Sequence, residues 1–106
     1  VQPRTKEVLR ALEQGLKNSD EPTRMVAASA LWSSDRVSES LPILVRALFS
    51  QNRTMRIEAA GVLEATPPSI EELDRLAEKV PGRENSAGLR VYQSLRKKLL
   101  RQDASQ

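Results

Sequence analysis

The chain contains neither cysteine nor histidine. Without cysteine there is no disulfide framework and no thiolate nucleophile. Without histidine, the commonest general base and the commonest metal ligand are both missing. Aromatic residues make up only 3% of the chain, namely Trp32, Phe49 and Tyr92. A core with so few rings must rely on leucine and alanine, which suits stacked layers that each touch only their neighbours. The glycines, Gly15, Gly61, Gly82 and Gly88, are scattered, so there is no glycine-rich phosphate loop. No apolar run approaches the roughly 18 residues of a membrane-spanning helix, and no secretory signal is visible. These absences lead us to expect no catalytic residues, no cofactor, no metal site and no membrane partner. The sequence begins at Val1 rather than at methionine, and it reads as a fragment or C-terminal piece of a longer or processed protein. No compartment is assigned, with the cytoplasm favoured.

The 106 residues carry a formal net charge of +3, unevenly placed. Residues 1–82 hold 11 Lys and Arg against 12 Asp and Glu, whereas residues 83–106 hold 6 against 2. The basic character therefore belongs to the end of the chain rather than to its body.

What the sequence does have is self-similarity. Leu41, Leu44, Leu48, Arg56, Ala59, Ala60 and Leu63 lie thirty-two residues after Leu9, Leu12, Leu16, Arg24, Ala27, Ala28 and Leu31. The same step forward reaches Leu73, Leu76, Val80, Gly88, Val91, Tyr92 and Leu95. A fixed period of this length marks a stacked-repeat architecture. Punctuation between the apolar stretches predicts six helices in three antiparallel pairs, as one domain with units at about 5–34, 38–66 and 69–101. Asp20 is expected to cap one helix, with Pro22 in its first turn, and Asn52 stands at the same place one unit later. Asn52-Arg53-Thr54 also matches a glycosylation sequon, a triplet common by chance. Ser38 is expected to cap a helix from Glu39 to Phe49. Ser69-Ile70-Glu71-Glu72 reads as a capping box, and Glu84 occupies the cap position of the third unit.

In each unit the first helix spends leucines and the second spends alanines. Ala27-Ala28 and Ala59-Ala60 lack bulk, which would let second helices nest closely, so Ala28→Leu and Ala60→Leu are both expected to overpack the layers. Val91 and Tyr92, at the corresponding places of the last unit, suggest a capping unit. Leu12, Leu44 and Leu76 are expected to hold equivalent interior places.

The segment Asn18-Ser19-Asp20-Glu21-Pro22-Thr23-Arg24, followed by Ala27-Ala28 and Leu31, resembles the HEAT repeat. Gln51-Asn52-Arg53-Thr54-Met55-Arg56, followed by Ala59-Ala60 and Leu63, resembles it again, and the third unit departs at Gly88. The resemblance implies a right-handed α-solenoid whose second helices line the concave side. It also implies that Arg24 and Arg56 join polar ladders between layers, with Asp20 and Asn52 as acceptors. The family supplies interaction scaffolds rather than an activity.

Arg90, Ser94, Lys97 and Arg101 fall on one side of the last helix, a stripe that suits either solvent or an acidic partner. Trp32 has charged counterparts, Glu64 and Arg96, and so is expected outside the inter-layer core, either as a partner-binding aromatic or folded over the following turn. Phe49 raises the same question more weakly. Glu71, Asp74 and Glu78 share a helix side and read as a wet charged surface. The expected function is a non-catalytic module that binds another protein or another domain of the parent chain through the surfaces of the second helices (Met25 to Trp32, Met55 to Glu64 and Arg90 to Arg101), with Trp32, Arg90, Lys97 and Arg101 on the partner surface. The alternatives are accessory nucleic-acid or polyanion binding through the basic last helix, and a structural domain attached to an enzyme.

Overall fold

The computed structural model describes residues 6–81 and 86–104. Those residues form six α-helices and one 3-10 turn, with no strand among them. The helices are α1 (Lys6–Gly15), α2 (Glu21–Asp35), α3 (Leu41–Ala47), α4 (Arg53–Ala65), α5 (Ile70–Glu78) and α6 (Ser86–Ala104), with the 3-10 turn at Ser38–Ser40. The expectation of an all-α chain holds.

The caps are largely where the sequence puts them. Asp20 is extended at φ −83°, and its carboxylate accepts from the Thr23 N–H at 3.2 Å and the Thr23 hydroxyl at 2.6 Å. Asn52 Oδ1 accepts from the N–H groups of Thr54 and Met55, at 2.9 and 3.4 Å. Ser69 Oγ accepts from the Glu72 N–H at 3.1 Å, while the Glu72 carboxylate lies 3.8 Å from Arg75 on the next turn. Each cap satisfies donors that a helix start leaves without an internal partner. Glu84, the cap expected for α6, lies outside the described residues.

Ser38 is a correction. It makes no side-chain cap, and the helix it was expected to open begins instead through the 3-10 turn. Buried Ser40 turns its hydroxyl back to donate to the Val37 carbonyl. Ser40 sits in the αR region at φ −79°, ψ −25°, not in the extended backbone of an N-cap, so its side chain is not placed to accept from the helix that follows.

The core is centred on the middle hairpin. Leu41, Leu44, Val45 and Leu48 from the α3 segment are enclosed, and Met25, Ala28 and Trp32 of α2, Ala59 and Leu63 of α4, Leu73 of α5 and Leu95 of α6 close around them. Helix α2 packs on α3 and α4, α4 packs on α6, and α3 packs on α5. Helix α1 touches α2 and no other helix among the described residues, and none of its residues is buried. Leu44 is therefore sealed from solvent while Leu12 and Leu76 are only half-buried. The three leucines share a place in the repeat but not a degree of enclosure. Only Leu44 lies on a helix packed against α2, α4 and α5 together.

Gly88 departs from the repeat for a steric reason. A Cβ built there would come within 2.6 Å of the Phe49 Cα and 3.1 Å of the Leu48 carbonyl oxygen. The start of α6 is pressed onto the end of the α3 segment, and no side chain fits where Arg24 and Arg56 stand in the earlier units. Phe49 itself is buried, with its ring 5.7 Å from that of Tyr92.

Candidate functional site

A polar arrangement recurs at the thirty-two-residue interval, and it is local to each unit. The Asn18 side chain accepts from the Asp20 N–H at 2.8 Å, and the Ser50 hydroxyl accepts from the Asn52 N–H at 3.1 Å. One turn into the helix, Arg24 donates to the Asn18 carbonyl at 2.7 Å, and Arg56 donates to the Ser50 carbonyl at 2.8 Å. The two arginines thus fasten the loop that precedes their own helix, six residues back. They are not rungs between layers, and Asp20 and Asn52 serve as caps rather than as acceptors for them.

Other side chains join α2 to the segment that follows α4. Trp32 is only 5% exposed and lies in the core cluster, and its indole N–H donates to the Thr66 carbonyl at 2.7 Å. Arg36 adopts a left-handed backbone at φ 53° to end α2, and its guanidinium lies 5.3 Å over the Trp32 ring. This corrects the expected placement of Trp32: it is an inter-layer tie, not a residue of the partner surface. Glu64, its counterpart one unit on, meets Lys98 at 3.5 Å. Both ties span thirty-four residues. At the opposite end of the layers, the Ser50 hydroxyl donates to the Glu21 carboxylate at 2.9 Å.

Asp74 is also re-assigned. Rather than standing with Glu71 on a wet surface, it accepts two hydrogen bonds from Arg96 Nε, at 2.9 and 3.1 Å, one from Arg96 Nη2 at 3.0 Å, and one from the Tyr92 hydroxyl. The bonds from Arg96 hold its carboxyl below the usual carboxylate range, partial burial works against that, and the Tyr92 hydroxyl adds to the lowering. The same pairing raises the Arg96 guanidinium. No group of three acidic side chains converges to hold a metal ion among the described residues.

Among the described residues three hollows open to solvent; the smallest, about 360 Å³, is an apolar cleft between α1 and α2 that includes Leu12 and Val26 and no charged side chain. The largest, about 900 Å³, runs along the turns and includes Glu21, Arg24, Arg46 and Asn52 in its wall. Three of these are already committed to Ser50, the Asn18 carbonyl and the α4 cap. The second, about 490 Å³, is a groove between α4 and α6. Arg53, Arg56, Ile57, Ala60 and Glu64 form one wall, and Ala87, Arg90, Val91, Ser94 and Lys98 form most of the other. These positions follow the i, i+4, i+7, i+11 spacing of one face on each helix. Glu64 meets Lys98, thirty-four residues on, near the ends of the two helices, while Gly88 at the start of α6 lies against Phe49 shortly before α4, so the two helices run parallel.

Four cations face one carboxylate in this groove, and that carboxylate is already paired with Lys98. Ile57, in the α4 wall, is 56% exposed. Of the residues expected on a partner surface, Arg90 lies in the groove. Lys97 and Arg101 are exposed on α6 outside its lining, and Trp32 is enclosed elsewhere. Ile57 and Lys98 fall within the second-helix surfaces expected to bind and Arg53 just outside them, but their meeting in one groove was not read from sequence. The signal was present as the face 53, 57, 60, 64 recurring at 87, 91, 94, 98, but a thirty-four-residue register is invisible to a search at the repeat period of thirty-two.

Comparisons with protein-family models, with curated proteins and with solved structures find no match to this chain.

Proposed function

We propose that this chain is a non-catalytic interaction module, a HEAT-like right-handed α-solenoid of three helix pairs, which holds a protein partner in the groove between α4 and α6. The observation that carries this is Ile57. A large branched apolar side chain stands more than half exposed in the lining of a groove that also holds four cations. An exposed apolar patch among charged side chains is the anatomy of a protein-binding surface. The solenoid part of the reading is supported by the loop-fastening arginines that recur at thirty-two residues and by the ladder of second helices, α2 on α4 and α4 on α6.

Selection from a displayed random peptide library tests it. The wild-type chain is expected to enrich a related set of sequences, and a variant carrying Ile57→Lys and Ala60→Leu, which charges and fills the groove, is expected to lose them. Equal enrichment by both chains, or none by either, would overturn the groove as the binding surface.

A further inference from the structure

We infer that the groove takes an acidic peptide segment with an apolar anchor, bound with its acidic end over the starts of α4 and α6. This rests on the groove being a protein-binding surface and adds the chemistry of the occupant. Three features set that chemistry. First, charge is unbalanced along the groove. At the far end Lys98 and Glu64 offset each other, whereas Arg53, Arg90 and Arg56, the last also fastened to the Ser50 carbonyl, lie towards the near end with no carboxylate beside them among the described lining residues. Second, α4 and α6 run parallel and both begin at that end, so their positive dipole ends add to the arginines. Third, the centre is apolar: Ile57, Ala60, Val91 and Leu95 surround it.

The dimensions agree. From Arg53 to Glu64 the groove follows about three turns of α4, or roughly 16 Å at 1.5 Å per residue. An extended segment of about five residues covers that length, and its side chains alternate in direction. One apolar side chain can then sit on Ile57 while the preceding carboxylates meet Arg53 and Arg90. Arginine suits this task because its planar guanidinium takes a carboxylate with two hydrogen bonds. A nucleic-acid strand fits less well. No aromatic side chain lines the groove to stack a base, and the apolar side chains would lie against phosphates.

Fluorescence anisotropy with labelled ten-residue probes separates the cases. The first probe carries glutamates followed by alternating leucines. The second replaces the glutamates by glutamines, the third reverses the order so that the acidic end follows the leucines, and the fourth is a single-stranded oligonucleotide. The acidic probe is expected to bind at least tenfold tighter than the glutamine probe at low salt, and tighter than its reversed form. Arg53→Glu with Arg90→Glu should weaken it tenfold or more, whereas Lys79→Glu, exposed on the α5 side, should not. Ile57→Ser should weaken the acidic peptide and leave the oligonucleotide unchanged. Equal binding of the glutamine probe overturns the acidic preference while leaving the groove as a peptide site. Tighter binding of the oligonucleotide, insensitive to Ile57, overturns a peptide occupant altogether. Loss of every peptide probe together with library enrichment that still requires Ile57 would refute the acidic chemistry alone.

Discussion

Two glycines on neighbouring second helices have opposite meanings. At Gly88 a methyl group would meet the Phe49 backbone at 2.6 Å, whereas at Gly61 nothing lies within 4 Å. Gly88→Ala must push α6 away from the α3 segment and is expected to destabilise by about 1–3 kcal/mol. Gly61→Ala fills open space in an exposed helix interior and should stabilise by about 0.5–1 kcal/mol. Thermal or denaturant melts of the two variants read both signs. If both shift the same way, the contact of α6 on Phe49 is misplaced. Trp32 gives a third residue-scale prediction. Trp32→Phe keeps most of the apolar body but leaves the Thr66 carbonyl without its indole donor, a loss of about 1–3 kcal/mol for an acceptor left unsatisfied. An unchanged melting midpoint would show that this tie carries no weight.

Among the elements, α5 and α6 depend on one polar clasp. The Asp74 carboxyl is depressed by Arg96, so its contribution is fully present above the unfolded carboxylate value of about 3.9 and is lost as pH falls through the lower folded value. Both side chains remain partly in water, at 31% and 39% exposed, so the effect is modest and weakened by salt. The stability difference between wild type and Asp74→Asn should therefore be constant above about pH 5 and shrink below it. A difference that grows on acidification would mean that the clasp is not formed in solution. The alanines of the second helices behave differently from one another. Ala28 is fully enclosed between layers, while Ala60 is only half-buried and lines the groove. Ala28→Leu should cost about 1–3 kcal/mol by overpacking. Leucine at position 60 can occupy the groove, so its main effect is expected on binding rather than on folding. The shared alanine suggested one role at both sites, and the structure separates them.

At the scale of the whole molecule, enclosure falls off from the middle hairpin to the first. Helix α1 buries no residue and leans on α2 alone, whereas α3 and α4 are packed from several sides. Native-state hydrogen exchange should show the lowest protection for α1 amides and the highest for α3 and α4, since local opening follows the amount of buried contact. Uniform protection across all six helices would mean that α1 is held by more than α2.

The sequence by itself determined the number of helices, most of their ends and the thirty-two-residue phase. These depend on interactions within a few residues of the chain, such as the caps at Asp20, Asn52 and Ser69 and the breaks at prolines. Ser38 misled because the chain enters α3 through a 3-10 turn, with Ser40 in the αR region, and nothing local chooses between two serines. Tertiary structure alone decided that Arg24 and Arg56 fasten their own loops, that Trp32 is enclosed, that Asp74 joins α5 to α6, and that Arg53, Ile57 and Arg90 share one groove. Those outcomes depend on how far one helix slides along the next. The thirty-four-residue offset of parallel neighbours arises from side-chain packing between layers, and a repeat read along the chain carries no measure of it.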